Sequence, residues 1–428
     1  MLIQFSVANF RSVLSRQTLS MAASTYFKEL EELNTFESGT KEQLPRLHRS
    51  SVIYGANASG KSTLVGAINF MRDRVINSFK ESQANEDIDV SSFKLTAASR
   101  AQESEFEVTF IESGVRYQYG FRCNRQRFTE EWLFAYPEGR TQKWFQRAFD
   151  TVNGKDEYRF STSFLGGRKR KDWREQTRGN ALFLSTALQL NNEQLLPVLN
   201  WFQQRLRIIN ARQLLGPSYT MSRCRADSDK KKILEFMNSA DISIADIRVK
   251  TQIFSPEILS KEMPAAIREE ISQKMDGKEI MQVKFLHEDV ETHELVEFDQ
   301  TEESDGTLAL FGFAGPWLDV IGEERVLVVD ELDSSLHPLI VHYLVKLLHH
   351  QGRKAQLIFT THDTTILSQK FLRRDQIWFM EKDDKSASQL YPLSDFSPRD
   401  NEAIERGYLN GRYGGIPFLK DLDFHGLG

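Results

Sequence analysis

The chain has 428 residues, 40% of them hydrophobic and 27% charged, with a net charge of −5. That length supports two or three folding units, and the acidic balance argues against coating nucleic acid by bulk charge while leaving a local basic face open. Its two cysteines, Cys123 and Cys224, lie far apart, which excludes a disulfide framework or a cysteine zinc site and fits a reducing cytosol.

The opening MLIQFSVANFRS lacks the basic region and unbroken apolar core of a signal peptide. Within it, LIQFSVANF (2–10) alternates as a strand does. Residues 24–49 are polar and read as a loop or frayed helix. A strand at 51–54 follows, then a helix from about 60 to 76 with Leu64, Val65, Ile68, Met71 and Val75 on one face. Residues 105–136 alternate around Ser113-Gly114, the pattern of an antiparallel meander. The stretch 137–285 is mixed, with helices expected at 189–205 and 228–240 and a charged run, RKRK (168–171), that reads as a solvated loop or a partner contact. The run LALFGFAGPWLDVIG (308–322) is too short to span a membrane and carries Pro316 and Asp319. These features predict a soluble, cytoplasmic protein with no membrane partner.

The last third reads as a β–α–β unit. RVLVVDE (325–331) is a continuous apolar run ending in two acids, as expected of a strand buried on both faces. LHPLIVHYLVKLLHHQG (336–352) is an amphipathic helix stopped by Gly352. QLIFTTHD (356–363) and QIWFMEK (376–382) follow as further strands. Parallel strands joined by a helix, with polar residues at their carboxyl ends, indicate a doubly wound α/β sheet.

Three motifs carry chemistry. Gly55-Ala56-Asn57-Ala58-Ser59-Gly60-Lys61-Ser62 fits G-x-x-x-x-G-K-[ST] between a strand and a helix. Its glycines let successive N–H groups turn toward phosphate oxygens. Lys61 would bridge the β- and γ-phosphates of ATP, and Ser62 would offer its hydroxyl to Mg²⁺. Asp330 could hold Mg²⁺ through its water, and Glu331 could accept a proton from the attacking water. His362, at the end of the next strand, could hydrogen-bond the γ-phosphate. His337, His349 and His350 read as helix-surface or packing residues, and the acids of NEDIDV and HEDVETHE lack the context of a nuclease centre.

This succession, continued by LDSSLHP (332–338) and TTHD (360–363), resembles the ATP-binding-cassette ATPases of the SMC, RecF and OLD type. The resemblance implies that Asp333 is the D-loop aspartate and His362 the switch histidine. It further implies that Ser304-Asp305-Gly306-Thr307 is a signature motif, with Ser304 and Gly306 reaching the γ-phosphate across a dimer interface. Ser-Asp-Gly-Thr departs from the transporter form Ser-Gly-Gly-Gln, as in the SMC-like branch. Asn57, Ser59 and Thr63 join the implied nucleotide contacts. Arg11 is a candidate contact from the first strand-turn or else a surface arginine. Gln189 is the candidate glutamine for the metal. NFRSV (9–13), FKL (93–95), NALFLSTALQ (180–189) and YLNGRYGGIPFL (408–419) are similar to stand-alone ATPases of prokaryotic phage-defence operons, the RloA/AbiL-type group. The group's properties imply a separately encoded effector, often a TOPRIM-like nuclease.

The expected fold is α/β, a P-loop NTPase of the ABC-ATPase type, with a mixed parallel sheet, an antiparallel β-subdomain and a mainly helical insertion. The expected division is 1–136, 137–285 and 286–428. The expected protein is a homodimer or higher oligomer that clamps ATP and controls its effector, with nucleic acid or a phage protein as further partners. A RecF- or SMC-like DNA-repair ATPase and a nucleotide-gated scaffold with incidental hydrolysis are the rivals. The middle shows no sustained heptads, so a long coiled coil is not expected. YGG (413–415) reads as a hinge or a packed tail.

Overall fold

Five short apolar segments lie side by side in parallel in a six-stranded sheet. Its order is Leu206–Asn210, Val326–Asp330, Gln356–Thr360, Ser50–Tyr54 and Ile377–Lys382, with Ser388–Pro392 antiparallel at one edge. Every residue of Ser50–Tyr54, Val326–Asp330 and Gln356–Thr360 is buried, which explains why Val326–Asp330 reads as a continuous apolar run. In this computed structural model, residues 1–417 are described apart from 82, 84, 85, 211–216, 259–262, 369, 400 and 401.

A second, seven-stranded sheet is antiparallel, in the order Lys155–Phe160, Gln142–Asp150, Phe128–Tyr136, Val115–Cys123, Ser104–Glu112, Leu2–Ala8 and Gln17–Ser20. The helix Lys61–Asn77 buries Leu64, Val65, Ile68, Met71 and Val75 in one core with Phe5, Phe106, Phe110 and Phe121 of this sheet. Val326, Val328 and Ile358 of the parallel sheet belong to the same core. Each such side chain contributes about 1.5–3 kcal/mol on burial, so this helix is pinned by its apolar face between the sheets.

The chain divides into two compact units. One comprises Met1–Asn210, Val320–Asp333 and Leu344–Gly428, the other Ala211–Asp319 and Ser334–Tyr343. The second holds a three-stranded antiparallel sheet, Asp246–Ile253, Glu279–Glu288 and Leu295–Asp299, and the helices Ser218–Arg223, Asp227–Ser239 and Ala265–Met275. The long helix Asp305–Gly322 starts there. Pro316, inside it, cannot bond the Gly312 carbonyl, and Thr220 Oγ1 donates to that carbonyl instead at 3.3 Å.

These units are drawn differently from the expected divisions. The antiparallel sheet runs past 136, because Gln142–Asp150 pairs with Phe128–Tyr136, and residue 285 lies inside Glu279–Glu288. Residues 137–285, expected to be mixed, carry strands as well as helices. The helix expected over 189–205 starts later, with helical turns running from Glu193 to Arg205. Phe183–Gln189 ends before Asn191, which takes a positive φ of 62°, and Asn192 then caps a new turn at Glu193–Leu195. The RKRK run opens the helix Lys169–Gln176, anchored by buried Trp173, and is not a loop. Of the final stretch assigned to the third division, residues 418–428 lie outside the described residues.

Candidate functional site

The carboxyl ends of three neighbouring parallel strands share one edge. Ile53 pairs with Thr360, and Val329 with Phe359, so Asp330 lies level with the strand that leads into the phosphate-loop motif. One strand stands between them, a separation of about 10 Å at the usual strand spacing. The loop Gly55–Gly60 leaves Tyr54 and enters the helix Lys61–Asn77.

Two glycines of the loop are required by space. A side-chain carbon at Gly55 would run into the Met380 carbonyl and lie 2.6 Å from Ser59 Oγ. At Gly60, where φ is 116°, it would strike Ser388 Oγ and stand 3.0 Å from Ser12 Oγ. With glycine at its N-cap, the helix has no side-chain cap, so its first N–H groups point from a positive dipole end toward the loop. Lys61 is buried and donates from Nζ to Gly55 O at 2.7 Å and Ala56 O at 3.2 Å. Ser59 is 3% exposed, and its hydroxyl has no hydrogen-bond partner among the described residues. Asn57 and Ser62 are exposed, and Thr63 is half-buried. An uncapped helix start, an unsatisfied buried hydroxyl and a cation folded onto loop carbonyls together fit a polyphosphate.

The acid pair is held by a threonine. Thr360 Oγ1 donates to Asp330 Oδ1 at 2.7 Å and accepts the Glu331 N–H at 2.7 Å. Asp330 is 4% exposed, while Glu331 is half-buried and held at a positive φ of 59°. Leu332 N donates to Thr360 O at 3.0 Å, which extends the tie. Asp333 Oδ2 accepts the His362 N–H at 3.3 Å, and its Oδ1 is buried without a hydrogen-bond partner among the described residues. The His362 side chain is exposed. Beneath them, Tyr54 donates to Asp363 O at 3.0 Å, and burial pushes its phenol well above the ordinary range. The donor set around Ser62 and Asp330, a hydroxyl and a carboxylate, is the hard-oxygen chemistry that suits Mg²⁺.

The remaining sequence candidates are dispersed. Arg11, exposed and at φ 50°, stands over the helix at Gly66, where a side-chain carbon would lie 3.0 Å from Nη1. That is one turn beyond Ser62 on the same helix face. Gln189 is not brought to the site. Ser185, one turn before it, donates to Val75 O at 2.7 Å and meets Ser78 Oγ at 3.1 Å, which ties Gln189's helix to the far end of the phosphate-loop helix. Ser62 is roughly 20 Å of helix away. Ser304 and Gly306 belong to the other compact unit. There Ser304 caps the helix Asp305–Gly322, accepting the Thr307 N–H at 3.1 Å. A side-chain carbon at Gly306 would lie 3.4 Å from Ser335 O. His349 is buried against Ser50 Oγ at 2.7 Å, His337 accepts the Leu339 N–H at 3.2 Å, and His350 is exposed.

Sequence reasoning missed a hydroxyl chain under the loop. Ser388 donates to Ser59 O at 2.6 Å and lies 2.8 Å from Ser12 Oγ, which donates to Thr63 Oγ1 at 3.0 Å. Ser12 and Ser388 come from opposite ends of the chain, and no local spacing could pair them. Thr360 could have been found, since it stands at the end of a buried strand beside the acids.

The chain matches the family model described as "AAA domain, putative AbiEii toxin, Type IV TA system" over residues 50–175 and 221–368. No curated protein matches it. Similar solved structures include the SMC head domain from Thermotoga maritima, at 12% identity and a TM-score of 0.40, covering 91% of this chain and 98% of that one. Another is an SmcHead bound to the C-winged helix domain of ScpA, at 10% identity and a TM-score of 0.41, covering 91% and 97%. The family match takes in the phosphate loop, the acid pair and His362, and it spans more than half of the chain. On that match, which covers a phosphate loop and an acid-ended strand at one edge of a mixed α/β sheet, the chain belongs to this AAA-domain family.

Proposed function

We propose that the protein binds and hydrolyses ATP at the Gly55–Thr63 loop and that two protomers close around the nucleotide. The observation that carries this reading is the uncapped start of the helix Lys61–Asn77, with Lys61 folded onto its own loop carbonyls and Asp330 level with it across one strand. On ATP binding Lys61 would exchange those carbonyls for phosphate oxygens, a stronger, charge-assisted contact. Loop N–H groups, with Asn57, Ser59 and Thr63 nearby, would take the remaining phosphate charge. Ser62 and Asp330 would hold Mg²⁺, which when bound neutralises phosphate charge. Glu331 would orient and deprotonate the water, and His362 would hydrogen-bond the γ-phosphate. Ser304 and Gly306 of the second protomer would complete the site, with Asp333 holding the His362 backbone in register.

Hydrolysis in this reading resets a clamp that controls a separately encoded effector, a nuclease of TOPRIM-like type, in cytoplasmic antiviral defence. The family's description names a toxin–antitoxin system, which supports an effector pair. Among the described residues, no helix is long and apolar enough to cross a membrane. The test of the nucleotide site is Lys61→Ala, followed with a fluorescent ATP analogue. Loss of binding by a folded variant is expected, and wild-type affinity would overturn the assignment.

A further inference from the structure

The glycine turn near the end of the described chain is built against the phosphate loop. Phe379, paired with Tyr54 in the parallel sheet, stacks with Tyr408 at 5.3 Å and with Tyr413 at 5.7 Å between ring centroids. Tyr391 donates to Tyr413 O at 2.9 Å, and Tyr408 donates to Gly415 O at 3.1 Å. Glu381, at the end of the strand beside the loop, accepts the Gly415 N–H at 3.0 Å. Gly414 and Gly415 both take positive φ, 67° and 68°. A side-chain carbon at Gly414 would fall on the Glu381 carboxylate and the Tyr391 hydroxyl. At Gly415 it would stand 3.7 Å from the Gly55 Cα.

Gly55 thus has the Met380 carbonyl on one side, and the turn comes near enough on the other that a side-chain carbon at Gly415 would reach van der Waals distance of its Cα. Its own carbonyl accepts from Lys61 Nζ at 2.7 Å. A shift of this turn would pass directly to the first residue of the phosphate loop, and through it to the ammonium group. The geometry points to the Tyr413-Gly414-Gly415 turn, with Glu381 as its anchor, as a positioning element of the nucleotide site that acts through Gly55. Gly414 is required for close approach to Glu381 and Tyr391, Gly415 is favoured by its positive φ, and the three aromatic rings hold the turn in place. This role rests on the nucleotide reading above.

The experiment measures the affinity of a fluorescent ATP analogue for the full chain and three variants, at a temperature where circular dichroism shows each folded. Gly414→Ala should weaken binding about tenfold or more, because the loop is displaced while Lys61 and Ser62 are intact. Glu381→Ala should follow it, and Glu381→Gln, which keeps an acceptor oxygen for the Gly415 N–H, should recover most of the loss. A turn that served only to fasten the tail would lower the melting temperature and leave the affinity of the folded protein unchanged, and that result overturns the proposal. If Gly414→Ala does not fold, the Glu381 pair decides the question by the same comparison of affinities. Absence of binding by the wild-type chain would overturn the nucleotide reading together with this role, whereas wild-type binding with unaltered variants overturns this role alone.

Discussion

Glu331 follows the end of a buried strand at a φ of 59°, a conformation unfavourable for a residue with a side chain. Thr360 holds it there by accepting its N–H, while the same hydroxyl donates to Asp330. Neighbouring acids are thereby given different settings: Asp330 is fixed and buried, and Glu331 is half-buried and follows the strand at a positive φ. Glu331→Gln keeps shape and hydrogen bonding but removes the base, so ATP should still bind while turnover falls by about 10²-fold or more. Steady-state phosphate release checks this, and unchanged turnover would remove Glu331 from the role. The pairing of P-loop and acids was legible because each motif is local, a few residues at a strand end. The Ser12–Ser388 link was not, because the fold alone brings those residues together.

At the scale of elements, a buried polar seam ties the helix Pro338–Gln351 to the phosphate-loop strand. His349 meets Ser50 Oγ, and Gln376 donates to Ser50 O at 2.8 Å and accepts from Asn34 at 2.7 Å. Close by, His48 lies 3.4 Å from Asp375, whose carboxylate already accepts two bonds from Arg373. Burial pushes His48 down to about 4 and His349 down to about 3, so both are neutral in the folded chain. Their unfolded forms protonate near 6.5, so their contribution is fully present above that pH. It is lost as pH falls toward the folded values, by about 2 kcal/mol each at pH 5. Melting temperature should therefore drop between pH 7 and pH 5, and His349→Gln should remove about half of that drop. An unaltered pH slope in the variant would contradict the assignment. Strands buried on both faces, such as Val326–Asp330, announced themselves in the sequence. Lys155–Phe160, half exposed at a sheet edge, alternates with charged residues and did not.

Across the whole molecule, the motif residues fall into two compact units. Gly55–Thr63, Asp330–Asp333 and His362 belong to one, Ser304 and Gly306 to the other. The motif order was legible along the chain, but the unit boundaries were not. The second unit is made of two separate segments, and periodicity reports one segment at a time. If ATP is shared between protomers, Lys61 and Ser304 act on it from different chains. Ser304→Arg places a bulky cation where two backbones would meet; losing the helix cap costs about 1 kcal/mol, so the variant should remain folded. The decisive measurement is ATPase activity of Lys61→Ala and Ser304→Arg, each alone and mixed in equal amounts over a range of protein concentrations. Each alone should be inactive. Mixed dimers keep one intact interface of two, so the mixture should recover up to about a quarter of wild-type activity, rising with concentration. A Ser304→Arg protein that hydrolyses ATP at the wild-type rate, or a mixture as inactive as its parts, would contradict the shared site.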